Sequence, residues 1–247
     1  MTPINVTNRF LSDITWLHPS ACSFTIGNHI DVWSVAANPE LPVTDDILEV
    51  LSLDELARAD RFYQKKDRNR FIISRWALRS IIGKYLGKQP KAVEFEAGKN
   101  KKPHIKNDRI NLHYNMSHSG GHVLIAVTNS AIGVDIEFIN NDFGYSEVLA
   151  YNFSADEIQY IKEVDHISRF FKLWTRKEAI TKATAQGLDC DLRLLPGLDG
   201  AYKVQAGIIA SVDDWVINSF NINGRYAASI ANRPLARNIS FYSYPSP

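Results

Sequence analysis

With only two cysteines, Cys22 and Cys190, the chain can build neither a disulfide framework nor a cysteine zinc site. A reducing compartment is the simplest setting for such usage. Long apolar runs are missing too: none approaches the roughly 18–20 residues needed to cross a bilayer, so no membrane contact is expected. Met1 to Thr7 shows no basic start followed by an apolar stretch, so no signal peptide is expected and the reading is cytoplasmic. Several catalytic signatures are absent as well. No Gly-x-Ser-x-Gly elbow is present, which removes the serine hydrolase reading. The loop Gly98-Lys99-Asn100-Lys101-Lys102-Pro103 is basic and Gly-led but lacks the Gly-Lys-Ser/Thr ending of a P-loop. The only closely spaced histidines, His113 with His118 and His118 with His122, form no zinc signature.

Composition is otherwise ordinary for a soluble globular protein, with 45% hydrophobic and 22% charged residues over 247 positions. The net charge of +1 conceals an asymmetry. Residues 58–109 hold 16 Lys and Arg against 5 Asp and Glu, and the rest of the chain holds 12 against 22. Such a segment either attracts a polyanion or forms a solvated helix face.

Periodicity sketches the elements. Ile30 to Ala36 alternates as a strand, and Pro39 and Pro42 mark a loop. Ser52-Leu53-Asp54-Glu55 and Ser154-Ala155-Asp156-Glu157 have the capping-box form, the first opening a helix toward Lys65. Longer helices are expected over Asn69–Leu86, stopped by Gly87, and over Ile167–Ala185. Strands are expected at Ile110–Met116 and Val123–Thr128, and a hairpin around Asn223-Gly224. Residues 1–28 show no clear period, and the chain is expected to finish in a loose tail. Strand, helices and strands thus occur twice. The fold class expected is α+β, with two similar halves, 1–131 and 132–247, each a small mainly antiparallel sheet packed with helices. A ligand belongs in the cleft between them.

The acidic block Gly133-Val134-Asp135-Ile136-Glu137 alternates with apolar residues, which puts Asp135 and Glu137 on one strand face about 6–7 Å apart. Two carboxylates so close call for a cation or a proton between them, and magnesium beside substrate phosphates is the commonest form. The wet face of an edge strand fits the same pattern. Trp174, Glu178 and Lys182 fall at i, i+4 and i+8 of one helix, as a ligand stripe or an ordinary ion pair. The turn Ser117-His118-Ser119-Gly120-Gly121 can offer N–H groups and a cationic imidazole to a phosphate, or be a plain polar turn.

Taken in order, Lys102-Pro103, Asn115 to Gly120, Gly133 to Glu137 and Trp174 to Lys182 resemble the motifs of the 4'-phosphopantetheinyl transferases of the larger, Sfp-like group. The Arg61-Phe62-Tyr63 block resembles that family's arginine-aromatic helix. The resemblance spans about Arg58 to Gly187, just over half the chain. It implies pseudo-twofold halves with coenzyme A in the cleft. The reaction implied is transfer of the 4'-phosphopantetheine arm to a serine of an apo acyl or peptidyl carrier protein, releasing adenosine 3',5'-bisphosphate.

By the same resemblance, Asp135, Glu137 and Glu178 match ligands of magnesium, with manganese an alternative. His118 with Ser117 matches the 3'-phosphate contacts, Arg58 and Lys102 match nucleotide contacts, and Lys182 matches the pyrophosphate lysine. Glu178, directly or through a metal-bound water, is the expected proton acceptor, with Lys182 the other catalytic residue. Glu55 stands where some relatives carry a second basic residue, and Arg70 is a candidate to compensate. Asn140 to Tyr151 is a candidate surface for the carrier, and the chain is expected to act as a monomer.

Two rivals are a non-catalytic coenzyme A- or carrier-binding module and a nucleic-acid binder using residues 58–109. The intact carboxylates and Lys182 disfavour the first. Against the second, Phe62, Tyr63, Phe71 and Trp76 sit at helical spacings that suit a core better than base stacking, so no nucleic acid is expected.

Overall fold

The computed structural model describes residues 2–38, 40, 42–106, 110–187 and 190–246. Met1 and Pro39, named above, and residues 109 and 247, which end the basic segment and the second half as bounded above, lie outside the described residues. The first half of the chain runs β1 (Pro3–Phe10), β2 (Trp16–Leu17), β3 (Ile30–Ala36), α1 (Asp45–Val50), α2 (Leu53–Ala59) and α3 (Lys65–Leu86), then β4 (Phe95–Ala97), β5 (Pro103–Ile105), β6 (His113–Ser119) and β7 (His122–Thr128). The second runs β8 (Ile132–Phe138), α4 (Ser146–Asn152), α5 (Ala155–Lys162), α6 (His166–Thr184), β9 (Gly200–Gln205), β10 (Trp215–Ile222), β11 (Tyr226–Asn232) and β12 (Ile239–Tyr244).

The expected α+β fold of two similar halves is what the topology shows. One sheet has the order β2-β12-β3-β7-β6 and the other β8-β11-β10-β1-β9. Within them, β3, α3, β6 and β7 form a unit whose strands lie in the order β3-β7-β6, and β8, α6, β10 and β11 repeat it as β8-β11-β10. All four neighbouring pairs in these units are antiparallel.

The two sheets face each other across an apolar layer that includes Ile30, Val32, Leu124, Val134, Ile136, Phe220 and Ile230. Helix α3 covers the outer side of the first sheet through Ala77, Leu78, Ile81 and Ile82 against Trp33 and Ile125. Helix α6 covers the second through Ala179, Ile180 and Ala183 against Val6, Ile217 and Ala231.

Both chain ends cross the expected division at residue 131. β1 lies parallel to β10 in the second sheet, and β12 lies parallel to β3 in the first. Residues 1–28 are therefore not all irregular, and the chain does not finish simply as a loose tail. The apolar alternation of β1 stops after Ile4 and Val6, and its next inward residue is Asn8, whose Nδ2 donates to the carbonyls of Pro196 and Leu198 at 2.6 and 2.9 Å. In β12 the neighbours Phe241 and Tyr242 are both buried, so no period of two appears.

Both capping boxes form. The helix opened by Ser52 stops at Ala59, well short of Lys65, and α3 begins at Lys65 rather than Asn69. Gly87, at φ +61°, ends α3 as expected. The two cysteines are free.

Candidate active site

Gly133 sets the position of the site. A Cβ there would lie 2.0 Å from the Ala179 carbonyl and 2.4 Å from the Ala183 nitrogen, so only glycine lets α6 press its backbone onto β8. That close approach carries Glu178 and Lys182 over the outward face of β8, while Ile132, Val134 and Ile136 point the other way into the inter-sheet core. The preceding residues of the helix motif serve structure. Arg176 is fully buried and bonds Ser219 Oγ and the Gly197 carbonyl, each at 2.6 Å. Lys177 Nζ donates to the Leu192 and Leu195 carbonyls at 2.7 and 2.6 Å and pairs with Glu157 at 2.9 Å.

Ser117, His118, Asp135, Glu137, Glu178 and Lys182 line one crevice of about 460 Å³, together with Met116 and Trp174. Lys182 Nζ donates to Asp135 Oδ1 at 2.6 Å and to Ser117 Oγ at 3.0 Å, and Ser117 Oγ donates to the same Oδ1 at 2.9 Å. Ser119 Oγ donates to Glu137 Oε2 at 2.8 Å. Burial raises the pKa of Asp135 against the pull of Lys182. Burial and the neighbouring Asp135 push Glu137 up to about 7, and the same two causes raise Glu178. Asp135 thus opposes the ionisation of both glutamates, and Glu178 adds to the shift of Glu137.

The first half supplies the other wall. Ser117 and His118, neighbours on β6, both reach the crevice, Ser117 buried against Asp135 and His118 at the exposed rim. His118 is exposed on one side, and partial burial, Arg70 and Lys182 together lower its pKa. Arg70 bonds Asp67 at 3.2 Å, and its Nε is buried without a hydrogen-bond partner.

Whether a divalent cation fits is decided by the donor set. Asp135 Oδ1 already accepts two hydrogen bonds, whereas its Oδ2 is buried with no partner. An orphaned, buried carboxylate oxygen in a crevice that two further acids also line suits a hard cation. Among the described residues no three acidic, histidine or cysteine side chains yet converge at metal-ligating spacing. The Lys182 ion pair provides the charge balance for Asp135 instead.

Two expected contacts stand apart. Lys102 Nζ donates to the carbonyls of Ile132 at 2.8 Å and Ala183 at 3.1 Å, tying its loop to β8 and α6. Burial lowers its pKa to about 8, and it lines an adjoining cavity of about 220 Å³ that shares Met116, Glu178 and Lys182 with the crevice. Arg58 packs its guanidinium 5.2 Å above the Phe71 ring, outside the crevice. Glu55 is buried, completes the α2 capping box and pairs with Arg75 and Arg79. Phe62 packs on Phe71 at 5.4 Å and Trp76 on Tyr244 at 5.9 Å, while Tyr63 is fully exposed. Sequence reasoning gave Ser119 and Gly133 no individual role. The signal for Ser119 was the alternation Asn115, Ser117, Ser119 on a strand facing two acids.

Known proteins carry the same arrangement of sequence. A family described as 4'-phosphopantetheinyl transferase, N-terminal, matches residues 36–130, and the 4'-phosphopantetheinyl transferase superfamily matches residues 131–231. The 4'-phosphopantetheinyl transferase HetI of Nostoc sp. is 34% identical over 181 residues, covering 70% of this chain and 76% of that protein. The 4'-phosphopantetheinyl transferase Sfp of Bacillus subtilis is 28% identical over 148 residues, covering 59% and 65%. An enzyme from Bacillus pumilus, 4'-phosphopantetheinyl transferase psf-1, is 33% identical over 146 residues, 58% of this chain and 61% of its own. The matches to its two parts define a transferase of two related halves. More narrowly, the chain belongs to the 4'-phosphopantetheinyl transferases, with the Sfp-like enzymes among its relatives. Coenzyme A and a carrier protein are the substrates that this family implies.

Proposed function

We propose that the enzyme moves the 4'-phosphopantetheine arm of coenzyme A onto a serine of an apo acyl or peptidyl carrier protein and releases adenosine 3',5'-bisphosphate. One observation carries this reading: Asp135, Glu137, Glu178, Lys182 and His118 line a single crevice in which a buried Asp135 oxygen lacks a partner.

Phosphoryl transfer demands positioning and charge neutralisation more than covalent help. Asp135, Glu137 and Glu178 would hold magnesium, or manganese in its place, which when bound supplies positive charge to the diphosphate oxygens. Lys182, beside Asp135, adds a point charge for the same oxygens once its ion pair opens. His118 and the unpartnered Nε of Arg70 suit the 3'-phosphate, the imidazole as a hydrogen-bond donor and the guanidinium as a charge. Arg70 thereby serves where Glu55 carries no base. Ser117, its hydroxyl already engaged, contributes by holding Asp135 and Lys182. Lys102 sets the height of the loop against which the nucleotide rests, and Arg58 adds positive field from α2.

Glu178 accepts the proton of the incoming serine. No described side chain donates to its carboxylate, and its raised pKa brings it toward working pH. Residues 1–131 would thus bind the nucleotide, and residues 132–247 would carry the metal and the base, in a monomer working in the cytoplasm. The carrier is expected to approach over residues 140–151, beside an apolar cavity of about 420 Å³ lined by Phe138, Phe143, Val148, Phe170, Phe171 and Trp174.

Incubation with coenzyme A, magnesium and a panel of apo carriers should add the mass of one phosphopantetheine arm to at least one carrier. Asp135→Ala should fold normally and lose transfer by more than a hundredfold, because it removes a metal oxygen and the Lys182 partner together. Transfer within tenfold of wild type would remove the metal role.

A further inference from the structure

We infer that Ser119 is a positioning residue that aims Glu137 at the cation, as one rung of a side-chain ladder through which β6 holds β8. The inference rests on the metal reading above and adds a residue to it.

β6 ends one sheet and β8 ends the other, so each presents an edge whose backbone groups need partners. Alternate side chains of β6 supply them. Asn115 Oδ1 accepts from the Val134 N–H at 2.8 Å. Ser117 Oγ donates to Asp135 Oδ1 at 2.9 Å. Ser119 Oγ accepts from the Phe138 N–H at 3.0 Å and donates to Glu137 Oε2 at 2.8 Å. Positions i, i+2 and i+4 of one strand thus address Val134, Asp135 and the Glu137–Phe138 pair of the other in order, all from a single face.

The last rung determines direction. A serine hydroxyl has one proton and two lone pairs. With a lone pair taken by the Phe138 N–H, the proton is left for Glu137, and the bond to Oε2 fixes that carboxylate's rotation. The other oxygen, Oε1, receives no hydrogen bond from any described residue. Ser117 treats Asp135 in the same way, occupying Oδ1 and leaving Oδ2 orphaned. Both strand acids therefore have one oxygen tied to β6 and one free for a ligand. Hydrogen bonds that orient ligating carboxylates are worth about 10–100-fold in metal affinity.

Manganese binding to the full chain, followed by loss of the free-ion EPR signal with coenzyme A present, tests this directly. Ser119→Ala should bind manganese 10–100-fold more weakly than wild type, keep coenzyme A affinity measured without metal, and melt within a few degrees of wild type. Ser119→Thr, which retains the hydroxyl, should restore the affinity. In transfer assays the alanine variant should need more magnesium for half-saturation, with kcat recovering at high magnesium. Wild-type manganese affinity in Ser119→Ala overturns the inference and leaves the metal site standing. No manganese binding by the wild type overturns the metal reading, and this inference with it. Should the alanine variant fail to fold, Ser119→Cys, a weak donor of nearly the same size, carries the same expectations and the same refutation.

Discussion

Glu55 stands in sequence where a phosphate-gripping base would be convenient, yet its carboxylate closes a helix cap and sits between two guanidinia. Burial alone would raise its pKa, but Arg75, the Ser52 N–H and Arg79 hold it lower. Under the proposed function, recognition of a 3'-phosphate would fall to His118 and Arg70 instead. His118→Ala should therefore weaken coenzyme A binding about tenfold while changing dephospho-coenzyme A little, a loss of roughly 1.4 kcal/mol confined to the ligand that bears the phosphate. Equal losses in calorimetric titrations of the two ligands would break that assignment. Glu137 offers a second test, through stability. Its folded pKa of about 7 exceeds the ordinary 4.5, so the fold prefers the protonated acid. Its stabilising contribution is complete below pH 4.5 and is lost as pH rises through 7. Glu137→Gln, which mimics the protonated form, should be about 1–2 kcal/mol more stable than the wild type at pH 8 without added metal. The advantage should shrink toward pH 5. Urea melts at the two pH values measure it, and an advantage that grows on acidification would reverse the sign of the argument.

Elements with a local signal could be read directly. The Ser-x-x-Glu boxes of α2 and α5, the glycine after α3 and the Asn223-Gly224 hairpin depend on neighbours a few residues apart, and the structure has them all. The acids and the lysine that line the crevice could be placed for the same reason, since strand and helix periods put each on a face. What required coordinates was non-local. Lys102 looked like a phosphate ligand because its loop is basic, but its ammonium meets two carbonyls 30 and 81 residues away in sequence. Arg176 and Lys177, beside Glu178 in the same motif, turn inward to carbonyls and an acid from other segments. Gly133 is the clearest case of a distant cause, because its need for a missing Cβ comes from the α6 backbone. Gly133→Ala should cost about 3 kcal/mol or more, since backbone rather than a flexible side chain must yield. Because that yielding lifts Glu178 and Lys182 from β8, transfer should fall even at temperatures where the variant stays folded. Denaturant melts and a transfer assay on the same sample test both halves of the expectation. A stable, inactive variant would show displacement of α6 without unfolding, whereas a stable, active one would contradict the close contact.

At the scale of the molecule, the duplicated unit explains why, among the described residues, the strand acids of the crevice occur in the second half and have no counterpart in the first. Counted from the hairpins, Trp33 opposite Ile125 corresponds to Asp135 opposite Ser229, and Val35 opposite Val123 corresponds to Glu137 opposite Ala227. The first half thus has a tryptophan and a valine where the second has its acids, and both are fully buried beneath α3. One copy of the unit spends that face on a core and the other leaves it polar. The terminal strands then bind the copies into a single folding unit. β1 fills the place between β10 and β9, and β12 the place between β2 and β3, so each sheet is incomplete without a strand from the opposite end of the chain. Removing β1 from the second half would expose Val6 and Ile4 contacts with Trp215, Ile217 and Val204 and leave β10 with an unpaired edge. Residues 132–247 expressed alone should accordingly fail to fold, giving no cooperative thermal transition by circular dichroism. The full chain should melt in one transition, with both capping-box helices lost together. Restoring residues 1–12 in trans or by fusion should recover ordered secondary structure in the second half, since those residues supply the strand that completes its sheet. Independent folding of 132–247 would mean that its α6-covered core suffices without β1. The cleft would then be a junction of two autonomous domains rather than a groove within one interlaced body.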